Sequence, residues 1–145
     1  KNSLDFAASL KGGKINKKIS LNKDTLIVQY SFSKLPQGSF KVEINLAMPS
    51  CDGPAGRFRI GENIPCGFGQ PLTFAGLKDI SLEDDVLGGV VHLTSSHACA
   101  FSSYPHFSVS QSEAGFEKIM QAVTLHLEWP SDTLVEDLQI SIRVV

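Results

Sequence analysis

Four histidines and three cysteines are the residues of this chain that most readily bind metals or act as nucleophiles. His97 and Cys99 are two residues apart, so on an extended segment both side chains would lie on one face, as two zinc ligands could. The chain has no C-x-x-C pair and no H-E-x-x-H sequence, so further ligands would have to come from His92, His106, His126 or more distant segments. The sequence therefore favours ordinary hydrogen-bonded histidines, and it predicts no metal and no cofactor.

The three cysteines, Cys51, Cys66 and Cys99, are odd in number and widely spaced. This spacing argues against a disulfide framework and favours a reducing compartment, so we expect a cytoplasmic protein. One disulfide plus one free thiol is the alternative. Neither Cys51 nor Cys66 lies at a recognisable helix N-terminus, where a thiolate nucleophile would be stabilised, so no Cys/His catalytic pair is predicted.

Carboxylates occur in two pairs that are spaced by four residues, Glu113 with Glu117 and Asp132 with Glu136. Two carboxyl groups are what glycoside hydrolysis requires. Solvation at the surface explains both pairs without catalysis, so the sequence predicts no catalytic residue.

Two further clusters could bind ions. Asp84, Asp85 and the segment 52–62 offer oxygen ligands for calcium, but the EF-hand pattern is missing and a solvated turn is favoured. Arg57 and Arg59 flank Phe58 and could bind an anion. On a strand, however, this alternation more often means one core residue between two solvent-facing arginines.

Length and composition limit the number of domains and the classes of binding partner. The 145 residues are 42% hydrophobic with a mean hydropathy of +0.03, which predicts one compact domain over residues 1–145. Thirteen basic and fifteen acidic residues give a net charge of -2, without the basic patch that nucleic acid binding needs. No apolar run reaches the roughly 20 residues of a membrane-spanning helix. Because a strand pattern follows Lys1 almost at once, we expect a domain excised from a longer chain.

Hydrophobic alternation predicts strands throughout the chain. It is strongest over residues 39–48 and clear over 25–33, and the turn at 35–38 predicts that these two strands form a hairpin with one buried face. A glycine pair predicts a second hairpin between residues 4–10 and 15–21. Glycines and prolines interrupt residues 49–70, which predicts a surface excursion with one short strand at 57–60.

The later strands are predicted at 72–82, at 86–94 and at 134–145, with a turn at 83–85. The apolar run 86–94 is expected to be buried on both faces and central in a sheet, while 97–104 fits either a strand or a loop. No segment has helical periodicity longer than a turn or two. The fold class predicted is therefore all-β, an antiparallel β-sandwich of nine or ten strands.

Residues 105–129 organise the rest of the chain. Two extended runs flank a polar corner at 111–115, where Gly115 supplies the positive φ of a tight reversal. The predicted core takes one parity from each of the two most regular strands: Phe40, Val42, Ile44, Leu46, Val123, Leu125, Leu127 and Trp129.

The run SVSQSEAGFE, followed five residues later by a hydrophobic strand ending in Trp129, resembles the C-terminal β-sandwich region of the α-amylase/4-α-glucanotransferase enzymes of glycoside hydrolase family 57. The resemblance is close over residues 107–129 and only topological elsewhere. It implies the large galactose-mutarotase-like type of sandwich. It also implies that the hydrolytic carboxylates lie in an N-terminal barrel outside this sequence, so this chain is not expected to hydrolyse glucans.

Three functional classes remain open. The favoured one is a noncatalytic accessory domain whose partner is a catalytic barrel of the same parent chain or a carbohydrate. The alternatives are an autonomous carbohydrate-binding module and, with less support, a sugar-acting enzyme of mutarotase type. Sugars stack on exposed aromatic rings, and the candidates besides the phenylalanines are Tyr30, Tyr104 and Trp129. Tyr30 and Trp129 lie on apolar parities, so they are expected to be buried.

The candidate contact residues for a ligand or a neighbouring domain are Gln111 and Glu113 in the corner, with His106 at the start of the same stretch. Gln111 and Glu113 are expected to make a fixed polar contact inside the sandwich, with a second domain or with a sugar. In the alternative, Ser110 and Ser112 bond the turn backbone and Glu113 is only solvated.

Overall fold

The computed structural model describes residues 3–48, 50, 55–113, 115–135 and 137–145, and the side chain of Ser112 is also outside the description. Cys51, Asp52 and Glu136, which entered the sequence predictions, therefore lie outside the described residues. The strands are β1 Ser3–Leu10, β2 Gly13–Asn22, β3 Thr25–Ser33, β4 Ser39–Leu46, β5 Gly56–Arg59, β6 Leu72–Asp84, β7 Gly89–Ser112, β8 Gly115–Pro130 and β9 Leu138–Val144.

All strand pairs are antiparallel, and the only helical segment among the described residues is a 3-10 turn at Ser131–Thr133. The predicted all-β class is confirmed, and the ambiguous segment 97–104 is strand. Over the ranges described above, no helix has the length and apolar character needed to cross a membrane.

The strands follow the order β1-β2-β3-β9-β7-β6-β5, and β8 joins β7 to β4. The 24-residue β7 takes part in both layers, because residues 91–95 pair with β9 whereas residues 100–112 pair with β8. Its other neighbour, β6, shifts register between Phe74 and Asp79, where Gly76 has a φ of 71°. We infer that the sheet bends at this irregularity, which allows it to close into a sandwich.

The predicted hairpin of β3 with β4 is wrong. β3 pairs with β2 and β9, and β4 pairs with β8. The two strands instead meet through their buried faces, where the Phe40 ring lies 5.0 Å from the rings of Tyr30 and Phe32. Alternation identified the apolar faces correctly, but it cannot distinguish a neighbour within a sheet from a neighbour in the facing layer.

The predicted core is confirmed for β8 and holds in part for β4. Val123, Leu125, Leu127 and Trp129 are buried. Phe40, Val42, Ile44 and Leu46 pack against them but are only half-buried. The difference arises because β8 lies between β4 and β7, whereas β4 pairs with β8 alone among the described strands.

The turn between β6 and β7 lies two residues later than predicted. β6 continues to Asp84, the turn occupies residues 85–88, and β7 begins at Gly89. Val86 and Leu87 are exposed in that turn and Thr94 is exposed in β7, so the prediction of a strand at 86–94 buried on both faces is wrong. Its central position is confirmed, because β7 lies between β6 and β9.

Candidate functional site

A two-stranded ribbon projects from the sandwich. Among the described residues, β6 pairs with β7 no further than Ser103, and β4 pairs with β8 no further than Val123. Residues 106–112 of β7 and 115–122 of β8 therefore pair only with each other, and they are called the ribbon below. Two strands alone are marginally stable in water, so the ribbon depends on the sandwich at its base.

One face of the ribbon is a continuation of the core. The cross-strand pairs Phe107–Met120, Val109–Lys118 and Gln111–Phe116 lie on this face in succession. Met120 at the base is buried, whereas Val109 is 71% exposed and Phe116 is 79% exposed. A face that begins in the core thus continues into solvent, where it carries Val109 and Phe116 together with the polar Lys118 and Gln111.

The predicted corner forms the tip of the ribbon. Ser112 pairs with Gly115, whose φ is 121°, so the predicted reversal with a positive-φ glycine is confirmed. Gln111 lies opposite Phe116 and Glu113 lies in the turn, and both side chains are exposed. The prediction that Gln111 and Glu113 make a contact inside the sandwich is therefore wrong. The alternative, in which Ser110 and Ser112 bond the turn backbone, stays a prediction.

His106 does not join this site. It is exposed and pairs with Ala122 just before a register shift, on the face of the ribbon opposite Gln111. Five strand positions also separate the two residues, which is about 17 Å along an extended chain. The structure thus brings Gln111 and Glu113 to one end of the ribbon and leaves His106 at the other.

The charged residues around β5 neutralise one another. Arg57 Nε donates to Glu83 Oε2 at 2.7 Å, Arg57 also pairs with Asp85 at 2.7 Å, and Arg59 pairs with Glu83. The guanidinium of Arg59, followed by that of Arg57, lowers the pKa of Glu83. Phe58 between the arginines is fully buried, so the predicted core residue with two outward arginines is confirmed.

Asp84 and Asp85 differ, although both were predicted to lie in a solvated turn. Asp85 is exposed, but Asp84 is buried, and its Oδ1 accepts hydrogen bonds from Ser50 Oγ at 2.8 Å and from the backbone N–H groups of Val86 and Leu87 at 3.0 Å. The prediction of a solvated turn is wrong for Asp84, because its carboxylate accepts hydrogen bonds from the backbone N–H groups of the turn. The structure contains no group of three or more His, Cys, Asp or Glu side chains arranged to hold a metal within the described ranges.

His97 and Cys99 have ordinary structural contacts. His97 Nδ1 lies 2.9 Å from Ser96 Oγ, and its backbone carbonyl accepts a hydrogen bond from Trp129 Nε1. Cys99 is buried and donates to the Leu77 carbonyl at 3.3 Å, and burial raises its pKa to about 11. Burial also raises the pKa of Cys66. Neither thiol is activated as a nucleophile.

A second surface lies on the outer face of β4, β8 and β7, away from the core. Cross-strand partners place Asn45, Thr124 and Tyr104 in one row and Glu43, His126 and Ser102 in the next. These six residues, with Lys41 and Glu128 in the third row, are called the outer patch below. Sequence alternation places Thr124, His126 and Glu128 on the outward parity, but the pairing of β8 with β4 that adds Glu43 and Asn45 has no sequence signal.

Comparison with protein families and with solved structures gives two matches. Residues 4–143 match the family described as alpha-amylase/4-alpha-glucanotransferase, C-terminal. The solved structure of 4-alpha-glucanotransferase from Thermococcus litoralis is similar with a TM-score of 0.63 and 25% sequence identity, over 91% of this chain and 18% of that chain. The chain thus spans less than a fifth of the solved enzyme that it matches. Comparison with curated proteins found no match.

Proposed function

Because the chain belongs to the family of α-amylase/4-α-glucanotransferase C-terminal domains, we propose that it is a noncatalytic accessory domain of an α-glucan-processing enzyme. The observation that carries this proposal is the family match over residues 4–143, nearly the whole chain. The solved enzyme is a much longer chain, so a catalytic domain in the same parent chain is the expected partner.

The arrangement of carboxylates supports a noncatalytic role. Glu83 and Asp85 are held by arginines, and Glu113 is exposed at the tip of a ribbon rather than in a cleft. A glycoside hydrolase holds two carboxyl groups on either side of a bound sugar, one of them with a raised pKa. The pKa of Glu83 is instead lowered, which suits an ion pair and not a general acid.

The ribbon is the surface that we assign to the contact with the catalytic domain. Val109 and Phe116 expose apolar side chains on one face, and such residues are commonly covered at an interface. Gln111 on this face and Glu113 in the turn add polar groups of the kind found at interface rims. In this proposal Gln111 and Glu113 contact the catalytic domain. The prediction that the sandwich is of the large galactose-mutarotase-like type stays a prediction.

The test combines turnover with association. The 145-residue chain alone is expected to neither hydrolyse nor transfer maltooligosaccharides, and to bind the separately produced catalytic domain of its parent enzyme in titration calorimetry. Val109→Ser and Phe116→Ser should each weaken this binding about tenfold or more, or about 1.4 kcal/mol. Glu113→Ala should weaken it less and leave the thermal unfolding temperature unchanged.

Val86→Ser is the matched control, because Val86 is 73% exposed, like Val109 at 71%, but lies in the turn between β6 and β7. It should bind as the unmodified chain does. Equal affinities for the Val109→Ser and Val86→Ser variants would contradict the assignment of the ribbon. Turnover by the isolated chain that disappears in Glu113→Gln would contradict the noncatalytic role itself.

A further inference from the structure

We propose that the outer patch is a glucan-binding surface centred on Tyr104, and that it takes a neutral chain of glucose units. This inference rests on the proposed role beside an α-glucan-processing enzyme, but it concerns a different surface from the ribbon face that carries Val109 and Phe116. The sequence offered three aromatic residues besides the phenylalanines for stacking on sugars. The structure buries Tyr30 and Trp129 and leaves Tyr104 45% exposed.

The ring of Tyr104 is supported from one side. Its centroid lies 5.8 Å from that of His126, with the two planes inclined at 58°. An aromatic ring has a negative face, which attracts the weakly positive C–H groups on the flat side of a pyranose. A tyrosine that is both exposed and supported by a neighbouring ring therefore offers a sugar a stacking surface with little side-chain freedom to lose.

The polar side chains beside Tyr104 are held in place by one another. Thr124 Oγ1 donates to Asn45 Oδ1 at 2.6 Å, and Asn45 Nδ2 donates to Glu43 Oε1 at 2.9 Å. His126 Nε2 lies 3.2 Å from Glu43 Oε2, which closes the chain of contacts across β4 and β8. Sugar hydroxyls both donate and accept, so they match a surface that presents amide, hydroxyl, imidazole and carboxylate groups together. Because these groups are already ordered, binding costs less side-chain entropy.

A shallow cavity of about 380 Å³ lies beside this network, and its lining includes Thr73, Ser102, His126 and Glu128. Its volume is at the lower end of the roughly 300–1,000 Å³ range of small-ligand pockets. The ring of Phe74, which is 45% exposed, also lines it. The cavity thus offers a second apolar surface next to further hydroxyl and carboxylate groups, as the neighbouring unit of a glucan chain would need.

The charges of the patch favour a neutral ligand. Lys41 Nζ pairs with Glu128 Oε2 at 3.1 Å, so the lysine is already neutralised. The amide of Asn45, followed by His126, lowers the pKa of Glu43, and Ser39 followed by Lys41 lowers the pKa of Glu128. Both carboxylates are therefore ionised near neutral pH, and they would repel a phosphorylated or otherwise anionic ligand.

The test is a titration of the 145-residue chain with maltoheptaose, followed by the shifts of backbone amide resonances in NMR spectra. Millimolar binding is expected, with the largest shifts at Ser102, Tyr104 and His126. Tyr104→Ala should reduce the affinity at least about tenfold, and Tyr104→Phe should retain most of it, because the ring face is kept. The amide spectrum of each variant also shows whether the variant is folded.

Phe6→Ala is the matched control, since it removes an aromatic ring of similar exposure, 52%, from β1 and should leave glucan binding unchanged. A second variant, Glu43→Gln, should weaken binding without unfolding the chain. Absence of shifts at millimolar maltoheptaose, or equal affinity of a folded Tyr104→Ala variant, would overturn the inference. Either result would leave the accessory role untouched, because that role is tested by association with the catalytic domain.

Discussion

The two ends of β7 each carry a hairpin turn, and the two turns have opposite environments. The turn before β7 is closed by Asp84, whose buried carboxylate accepts hydrogen bonds from the turn backbone and from Ser50. The turn after β7 contains Glu113, which is exposed at the tip of the ribbon. The acidic residue is therefore part of the folded interior at one end and available for an external contact at the other.

Neighbouring strands account for the difference. At the first turn, β5 adds a further strand to β6, and its Phe58 packs against Phe68 with ring centroids 5.2 Å apart. The fit is tight, because a Cβ atom on Gly56 would lie 1.9 Å from the Ser50 carbonyl oxygen. At the second turn, the described residues provide no third strand. We infer that the first turn serves stability and that the second is free to serve recognition.

The largest expected effect contrasts the phenylalanines near the two turns. Phe58→Ala should lower the free energy of unfolding by about 3–5 kcal/mol, the usual cost of a cavity left by a buried phenylalanine. Phe116→Ala, at a residue that is 79% exposed, should change it by less than about 0.5 kcal/mol. Urea unfolding followed by circular dichroism measures both. Similar losses for the two variants would show that the ribbon is as firmly packed as the first turn.

An intermediate effect is expected at the two acidic residues. Asp84→Ala should lower the free energy of unfolding by about 1–3 kcal/mol, because it leaves turn N–H groups without their acceptor. Asp84→Asn keeps an acceptor oxygen and should lose less. Glu113→Ala should stay within about 0.5 kcal/mol. A loss at Glu113 as large as that at Asp84 would remove the contrast between the turns.

The smallest effect concerns pH and the ion pairs beside the first turn. The pKa of Glu83 is lower in the folded chain than in the unfolded one, so Glu83 stabilises the fold above the unfolded pKa of about 4.3. This contribution, about 0.5–1 kcal/mol, is lost as the pH falls through the lower folded pKa. The difference in stability between the unmodified chain and Glu83→Gln should therefore be constant above about pH 5 and shrink below it. A difference that stays unchanged down to pH 2 would exclude the ion pairs as its origin.

Local pattern was enough to predict most strands and their apolar faces. Alternation at Val123, Leu125, Leu127 and Trp129 identified the buried side of β8, because side-chain direction along a strand depends only on parity. The reversal at Gly115 followed from the conformational freedom of glycine. The family resemblance over residues 107–129 extends to a family match over residues 4–143.

Relations between distant segments were beyond the sequence. Asp84 shares the buried parity of Ile80 and Leu82, but its hydrogen bond from Ser50, 34 residues away, has no signal in its own neighbourhood. The sequence predicted β4 as a partner of β3 and did not predict β9, because backbone hydrogen bonds are alike for any pair of strands. The outer patch depends on the same kind of information, since Glu43 reaches His126 only through the pairing of β4 with β8. Parity showed that His126 points outward, but it could not show what lies beside it.

The position of β9 between β3 and β7 has a consequence for synthesis of the chain on the ribosome. Gln29 in β3 bonds Gln139 in β9 across 110 residues of sequence. At translation rates of about 5–20 residues per second, β3 would wait roughly 5–20 s before its neighbour is made. During that interval the hairpins β1–β2 and β2–β3 can form, but the edge of β3 that pairs with β9 remains free. The nascent chain should therefore be a substrate for chaperones that shield strand edges, and it should reach a protease-resistant state only after β9 has left the ribosomal tunnel.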